Sequence, residues 1–119
     1  MNKPVRIILL EQANNEYRRL NAIVGQQLSE GKENTNEMQL LKSIKQKSAL
    51  IKENPFYGDN IQKYLIPKKY NVSNLWRVEL AGYWRMLYTI KGNEIEIICF
   101  ILDIINHPDY NKLFGYKKR

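Results

Sequence analysis

The sequence predicts an α+β fold: a small, antiparallel-rich sheet in the order βααβββ, with a helical hairpin packed on one face. Three observations predict it. An apolar, β-branched run at Val5–Leu10 opens the chain. Two segments of helical periodicity follow, joined by a polar loop. From Asn74 onward the periodicity changes to two, in three runs separated by tight turns. Helices grouped in sequence, followed by grouped strands, pack as a helical layer on a sheet.

Each element has a local reason. Arg6 alone interrupts the first strand. In the first helix Ala13, Tyr17, Leu20, Val24 and Leu28 recur at spacings of four and three, which puts them on one face, and Gly31 suits the stop. Asn34 followed by Glu37 resembles a capping box for the second helix. Met38, Leu41, Ile44 and Ile51 share a face of that helix with Ser48, and Asn54-Pro55 ends it. Residues 56–72 read as an irregular connection, with a turn at Gly58-Asp59-Asn60 and Pro67 arguing against a central strand. Trp76, Val78 and Leu80 then alternate with Arg77 and Glu79, the mark of a half-buried strand. A turn lies within Ala81–Trp84, and Met86, Tyr88 and Ile90 alternate with Arg85, Leu87 and Thr89. After Lys91-Gly92-Asn93 the last strand is apolar on both faces from Ile97 to Leu102, as expected of the central strand. Asn106–Asp109 breaks the pattern, and Tyr110–Tyr116 is a short tail element anchored by Leu113 and Phe114.

Composition sets the limits. A chain of 119 residues, 44% hydrophobic and 26% charged, suits one globular domain over residues 1–119. Its longest apolar run, Ile97–Leu102, is far short of the roughly 20 residues that span a bilayer. No signal-peptide pattern opens the sequence, so a cytoplasmic location is expected. One cysteine and one histidine leave no disulfide and no ordinary zinc set, and neither a metal nor another cofactor is expected. The formal net charge is +7. Residues 1–62 hold nine basic and seven acidic side chains, and residues 63–119 hold ten and five, so the excess lies in the second half. Such asymmetry fits a polyanionic partner, nucleic acid or an acidic protein segment, although a net charge of this size also serves solubility.

The groups able to carry chemistry lie in the same half. Arg77 and Glu79, two apart on a strand, must share a face, expected to be the open face opposite the helices. Whether Arg85 joins them depends on hairpin register. A three-residue loop, Ala81-Gly82-Tyr83, pairs Glu79 with Arg85; a two-residue loop, Gly82-Tyr83, pairs Leu80 with Arg85 and separates them. The three-residue loop is favoured, because it also gathers Trp76, Val78, Met86 and Tyr88 as a core face.

The ordered set of Arg77, the turn-and-strand element Gly82-Tyr83-Trp84-Arg85-Met86-Leu87-Tyr88, and His107-Pro108-Asp109-Tyr110-Asn111-Lys112 resembles the RelE/ParE superfamily of small prokaryotic toxins. The last of these looks most like its HigB branch. The resemblance implies a RelE-like fold and the toxin of a type II toxin–antitoxin pair, held in check by a cognate antitoxin in a toxin–antitoxin hetero-oligomer. It implies either ribosome-dependent, metal-independent cleavage of messenger RNA or, as in ParE-like members, inhibition of DNA gyrase without nuclease activity. A catalytically retired antitoxin-binding module is a further alternative. Carried over by position, Arg85 stabilises the phosphate in the transition state, Arg77 supports it, and His107 and Tyr110 transfer protons or orient the nucleotide.

The chemistry of metal-free RNA cleavage fits these residue types. A base must take the 2′-OH proton, donors must meet the developing charge on phosphorus, and an acid must protonate the leaving 5′-oxygen. Arginine binds phosphate oxygens bidentately and stays charged. Histidine exchanges protons near neutral pH, and Glu79 is a second candidate base. Lys68, Lys69 and Lys117 are placed to contact an RNA backbone, and Tyr116 or Tyr110 to stack on a base. Each has a plainer reading: His107 as a turn residue before proline, Arg77 and Glu79 as a surface ion pair, the lysines as solvated surface.

Overall fold

The structure, a computed structural model, describes residues 3–115. Strand β1 (Val5–Leu9) leads into α1 (Glu11–Ser29) and α2 (Asn36–Glu53). Then come β2 (Asp59–Asn60), β3 (Trp76–Glu79), β4 (Arg85–Gly92), β5 (Ile97–Ile105) and α3 (His107–Leu113). The five strands form one sheet in the order β1-β5-β4-β3-β2. Only β1 and β5 run parallel; every other pairing is antiparallel.

The α+β reading is what the structure shows, with two additions: the edge strand β2, too short to carry a periodic signal, and the helix α3. The middle position belongs to β4 rather than to the last strand. β5 is also interior, between β1 and β4, which accounts for its apolar residues on both faces.

Helix boundaries follow local chemistry. Thr35, not Asn34, caps α2: its side chain accepts from Met38 N–H at 3.1 Å, while Asn34 sits just outside at a left-handed φ of 54°. Gly31, at φ 76°, closes the end of α1 as expected. The break at Asn106–Asp109 is a helix start. Asn106 Oδ1 accepts from Asp109 N–H at 2.9 Å, and Pro108 occupies the first turn, where its missing N–H costs nothing.

The sheet is covered on both faces. On one side α1 and α2 bury Ala13, Leu20, Val24, Leu41, Ile44 and Ile51 against Val78, Met86, Tyr88, Cys99, Ile101 and Ile104. The opposite face, expected to be open, holds a second apolar cluster. Leu75, Leu87, Leu102 and Tyr110 form it, with Ile61, Ile66, Tyr70, Val72 and Leu113 packed against them. The irregular segment before β3 and helix α3 therefore cover this face. A bulge between β4 and β5 helps: partners change from Leu87↔Asp103 to Tyr88↔Ile101, leaving Leu102 as the extra residue in the second cluster. Asn74 ties the segment down. Its side-chain amide accepts from Ile90 N–H at 2.8 Å and donates to Ile90 O at 3.0 Å, standing in for a strand partner.

Two predictions follow from the helix-side core. Cys99 is fully buried, which pushes its thiol up to about 11, so a thiol reagent at pH 8 should label the unfolded chain and leave the native one untouched. Tyr88 donates to Pro55 O at 2.7 Å and accepts from Gly58 N–H at 3.0 Å. Tyr88→Phe leaves both backbone groups without that partner, and denaturant unfolding should show a loss of about 1–3 kcal/mol.

Candidate functional site

The hairpin between β3 and β4 decides which side chains share a face. Leu80 N–H donates to Trp84 O at 2.8 Å and closes a three-residue turn, Ala81-Gly82-Tyr83. Gly82 and Tyr83 both take left-handed φ, 69° and 64°. Ala81 N–H donates to Ser43 Oγ at 3.1 Å, which pins the turn to α2. Glu79 consequently lies opposite Arg85 and Arg77 opposite Leu87. Because directly opposed residues point the same way, Arg77, Glu79 and Arg85 all face the second layer. The favoured register is the one observed.

Tyr110 of α3 lies among them, only 3% exposed. The Cζ atom of Arg85 is 5.2 Å from the centre of its ring and that of Arg77 is 5.9 Å away, so one aromatic ring contacts two guanidinium groups. Arg77 Nη1 also donates to the Tyr110 hydroxyl at 3.0 Å, and Nη2 donates to Asp59 Oδ2 at 3.1 Å. Burial opposes the Arg77 cation, but the bonds to Tyr110 and Asp59 outweigh it and raise its pKa above the usual value. Arg85, 9% exposed, donates from Nη1 to Tyr83 O at 2.7 Å and pairs through Nη2 with Glu79 Oε1 at 3.6 Å. The Nε atoms of both arginines are buried without a hydrogen-bond partner among the described residues. Two cations thus sit in a partly desolvated pocket, each offset by one well-exposed carboxylate.

His107 is the first residue of α3, exposed, and one helical turn before Tyr110. Its Nε2 lies 3.3 Å from Asn111 Nδ2. Its ring centre is 6.3 Å from that of Tyr83, whose carbonyl holds Arg85. The structure therefore gathers Arg77, Glu79, Arg85 and Tyr110 by direct contact and brings His107 to their edge through Tyr83. A shallow hollow of about 290 Å³ borders Arg77 and Tyr110, walled by Asp59, Gln62, Leu65 and Phe114.

The lysines lie elsewhere on the same side. Lys68 and Lys69 are exposed on a single 3₁₀ turn, Lys68–Tyr70. Lys69 Nζ lies 3.8 Å from Asp103 Oδ2 and 5.3 Å from the centre of the Tyr70 ring. Tyr70 donates its hydroxyl to the same Asp103 oxygen at 2.8 Å, and burial followed by that carboxylate raises the phenol far above its usual pKa. This is a clamp between the covering segment and β5, separate from the arginine–tyrosine cluster. Tyr116 and Lys117 lie outside the described residues.

Three participants went unread in the sequence: Asp59, the carboxylate on Arg77; Tyr83, whose carbonyl holds Arg85; and Asp103. Asp59 reads as a turn residue and its partner, Arg77, is 18 positions away; Tyr83 acts through a backbone carbonyl that its residue type does not announce; and Asp103 sits in an apolar strand. A single charge at the end of such an apolar run is the one signal that could have found Asp103. Among the described residues, no group of three or more His, Cys, Asp or Glu is arranged to hold a metal ion.

No protein-family model matches the chain, and no curated protein matches it. Among solved structures, a YoeB/ParE toxin from Agrobacterium tumefaciens superposes with a TM-score of 0.56, covering 86% of this chain and 98% of that one at 13% identity. The protein thus shares the fold of that toxin structure. At this identity the likeness is one of fold, and what the side chains do rests on their geometry here.

The clamp yields a prediction. Tyr70→Phe removes the donor to a buried carboxylate, and hydrogen bonds to charged groups are worth about 1.5–3 kcal/mol. Unfolding should reveal a loss of that size, with faster amide exchange concentrated in residues 61–75.

Proposed function

We propose that this protein is the toxin of a type II toxin–antitoxin pair, an endoribonuclease that cuts messenger RNA on the ribosome without a metal ion. The observation that carries the reading is the Arg77–Tyr110–Arg85 arrangement, two guanidiniums held on one ring with His107 a helical turn away. Arg85 and Arg77 exchange the exposed carboxylates of Glu79 and Asp59 for the scissile phosphate and stabilise its pentacoordinate form. His107, or Glu79 once released from Arg85, takes the 2′-OH proton as the oxygen attacks phosphorus. The P–O5′ bond breaks, a 2′,3′-cyclic phosphate forms, and the leaving 5′-oxygen takes a proton from the acid of the pair. Tyr110 fixes Arg77 through its hydroxyl. The basic surface around Lys68 and Lys69 serves the RNA backbone of the substrate.

The expected partners are the ribosome with its message and a cognate antitoxin, acidic where it covers the basic face and released at high salt. Among the described residues no helix is long and apolar enough to cross a membrane, and the proposed site of action is the cytoplasm.

One observation favours the rival, a ParE-like gyrase inhibitor or a retired antitoxin-binding module. Arg85 is nearly buried and already bonded to Tyr83 O and Glu79. Arg85→Ala separates the two. On the nuclease reading, truncation of messages in a translating extract falls about 10²–10³-fold, the usual cost of one such donor, and antitoxin binding is retained. Undiminished toxicity in that variant, or intact messages beside stalled replication in cells expressing the wild type, would reject it.

A further inference from the structure

We infer that Tyr83 and His107 form a platform on which a nucleobase stacks beside the phosphate bound by Arg85, which makes Tyr83 a substrate-binding residue. The inference rests on the RNA-cleaving reading above.

Tyr83 follows Gly82 in a second consecutive left-handed conformation, φ 64° after 69°. Glycine adopts it freely; for a bulky residue it is a true outlier. Burial does not explain the tyrosine, because its side chain leaves the residue 76% exposed. Backbone strain of this kind persists where surrounding contacts over-determine it, and it concentrates at ligand sites. The contacts here are specific. The left-handed turn points the Tyr83 carbonyl at Arg85 Nη1, 2.7 Å away, and leaves the ring outside, 6.3 Å from His107. The two rings are inclined at 54°, tilted rather than stacked, so neither spends its face on the other.

A planar group laid on Tyr83 therefore lies next to a phosphate-binding cation fixed by the same residue's carbonyl. Base, phosphate and ring in that order match how single-stranded RNA is held, with aromatic faces for bases and guanidinium for the backbone. The neighbouring positive charge of Arg85 favours a nucleotide over an uncharged aromatic or a basic peptide.

The test titrates ribosomes programmed with a message carrying, in the vacant codon, 2-aminopurine, whose fluorescence falls on stacking, with the wild-type chain, Tyr83→Phe and Tyr83→Gly. Wild type should quench, and Tyr83→Phe, which keeps the ring, should quench as well. Tyr83→Gly keeps the carbonyl and suits the φ; it should raise the apparent Kd about fivefold or more, the effect of losing one base–aromatic stack, with Tm no lower than wild type. Wild type without quenching, Tyr83→Gly binding like wild type, or a fall in Tm matching the loss of binding would each overturn the inference. Message truncation read in parallel keeps the two ideas apart. Stacking without truncation sinks the nuclease reading alone, and truncation undiminished in Tyr83→Gly sinks the platform alone.

Discussion

The backbone hydrogen bond from Leu80 N–H to Trp84 O closes the β3–β4 turn over three residues, and both layers of the molecule depend on it. Side chains alternate along a strand, so a turn shorter by one residue would move every side chain of one strand to the other face. Arg85 would then enter the helix-side core, and Met86 would face the second layer in its place. The turn tolerates two successive left-handed residues because it is held at both ends, by Ser43 on α2 and by the Arg85 guanidinium on the Tyr83 carbonyl. The same few contacts that set the register aim the cation.

With the register set, the face away from α1 and α2 carries two arginines that ought to repel. Tyr110 reconciles them. Its ring offers negative electrostatic potential to both guanidiniums, and its hydroxyl accepts from one. Asp59 and Glu79 complete the neutralisation, yet both are largely exposed, and exposed ion pairs are worth only about 0–1 kcal/mol. The cluster is therefore held firmly from within by Tyr110 and loosely from without by carboxylates.

The cover over this face comes from two sources, the segment before β3 and helix α3. Neither has the long apolar periodicity of α1. The segment is fixed by polar devices instead: the Asn74 amide on Ile90, and the Tyr70 hydroxyl and Lys69 ammonium on Asp103. These bonds explain why a carboxylate stands among the apolar residues of β5, and why Lys69, although exposed, is not simply free surface.

Much of the fold was legible in the sequence because it follows from local periodicity. The α1 face from Ala13 to Val24, the end of α2 at Asn54-Pro55, and the alternation of Trp76, Val78, Met86 and Tyr88 are set by residues three, four or two apart. The site was legible as residue types: Arg77, Glu79, Arg85, His107 and Tyr110 could be named from their chemistry and order along the chain. Their arrangement was not, because it depends on contacts between residues far apart in sequence. Tyr110 meets Arg77 across 33 positions, and Tyr70 meets Asp103 across the same separation. Tertiary structure alone decided that the second face is covered, that His107 opens a helix whose next turn places Tyr110 on both guanidiniums, and that β4, not β5, lies at the centre. Periodicity reports which face of an element is apolar. Which elements press on that face, and from what side, is set by the packing of the whole chain.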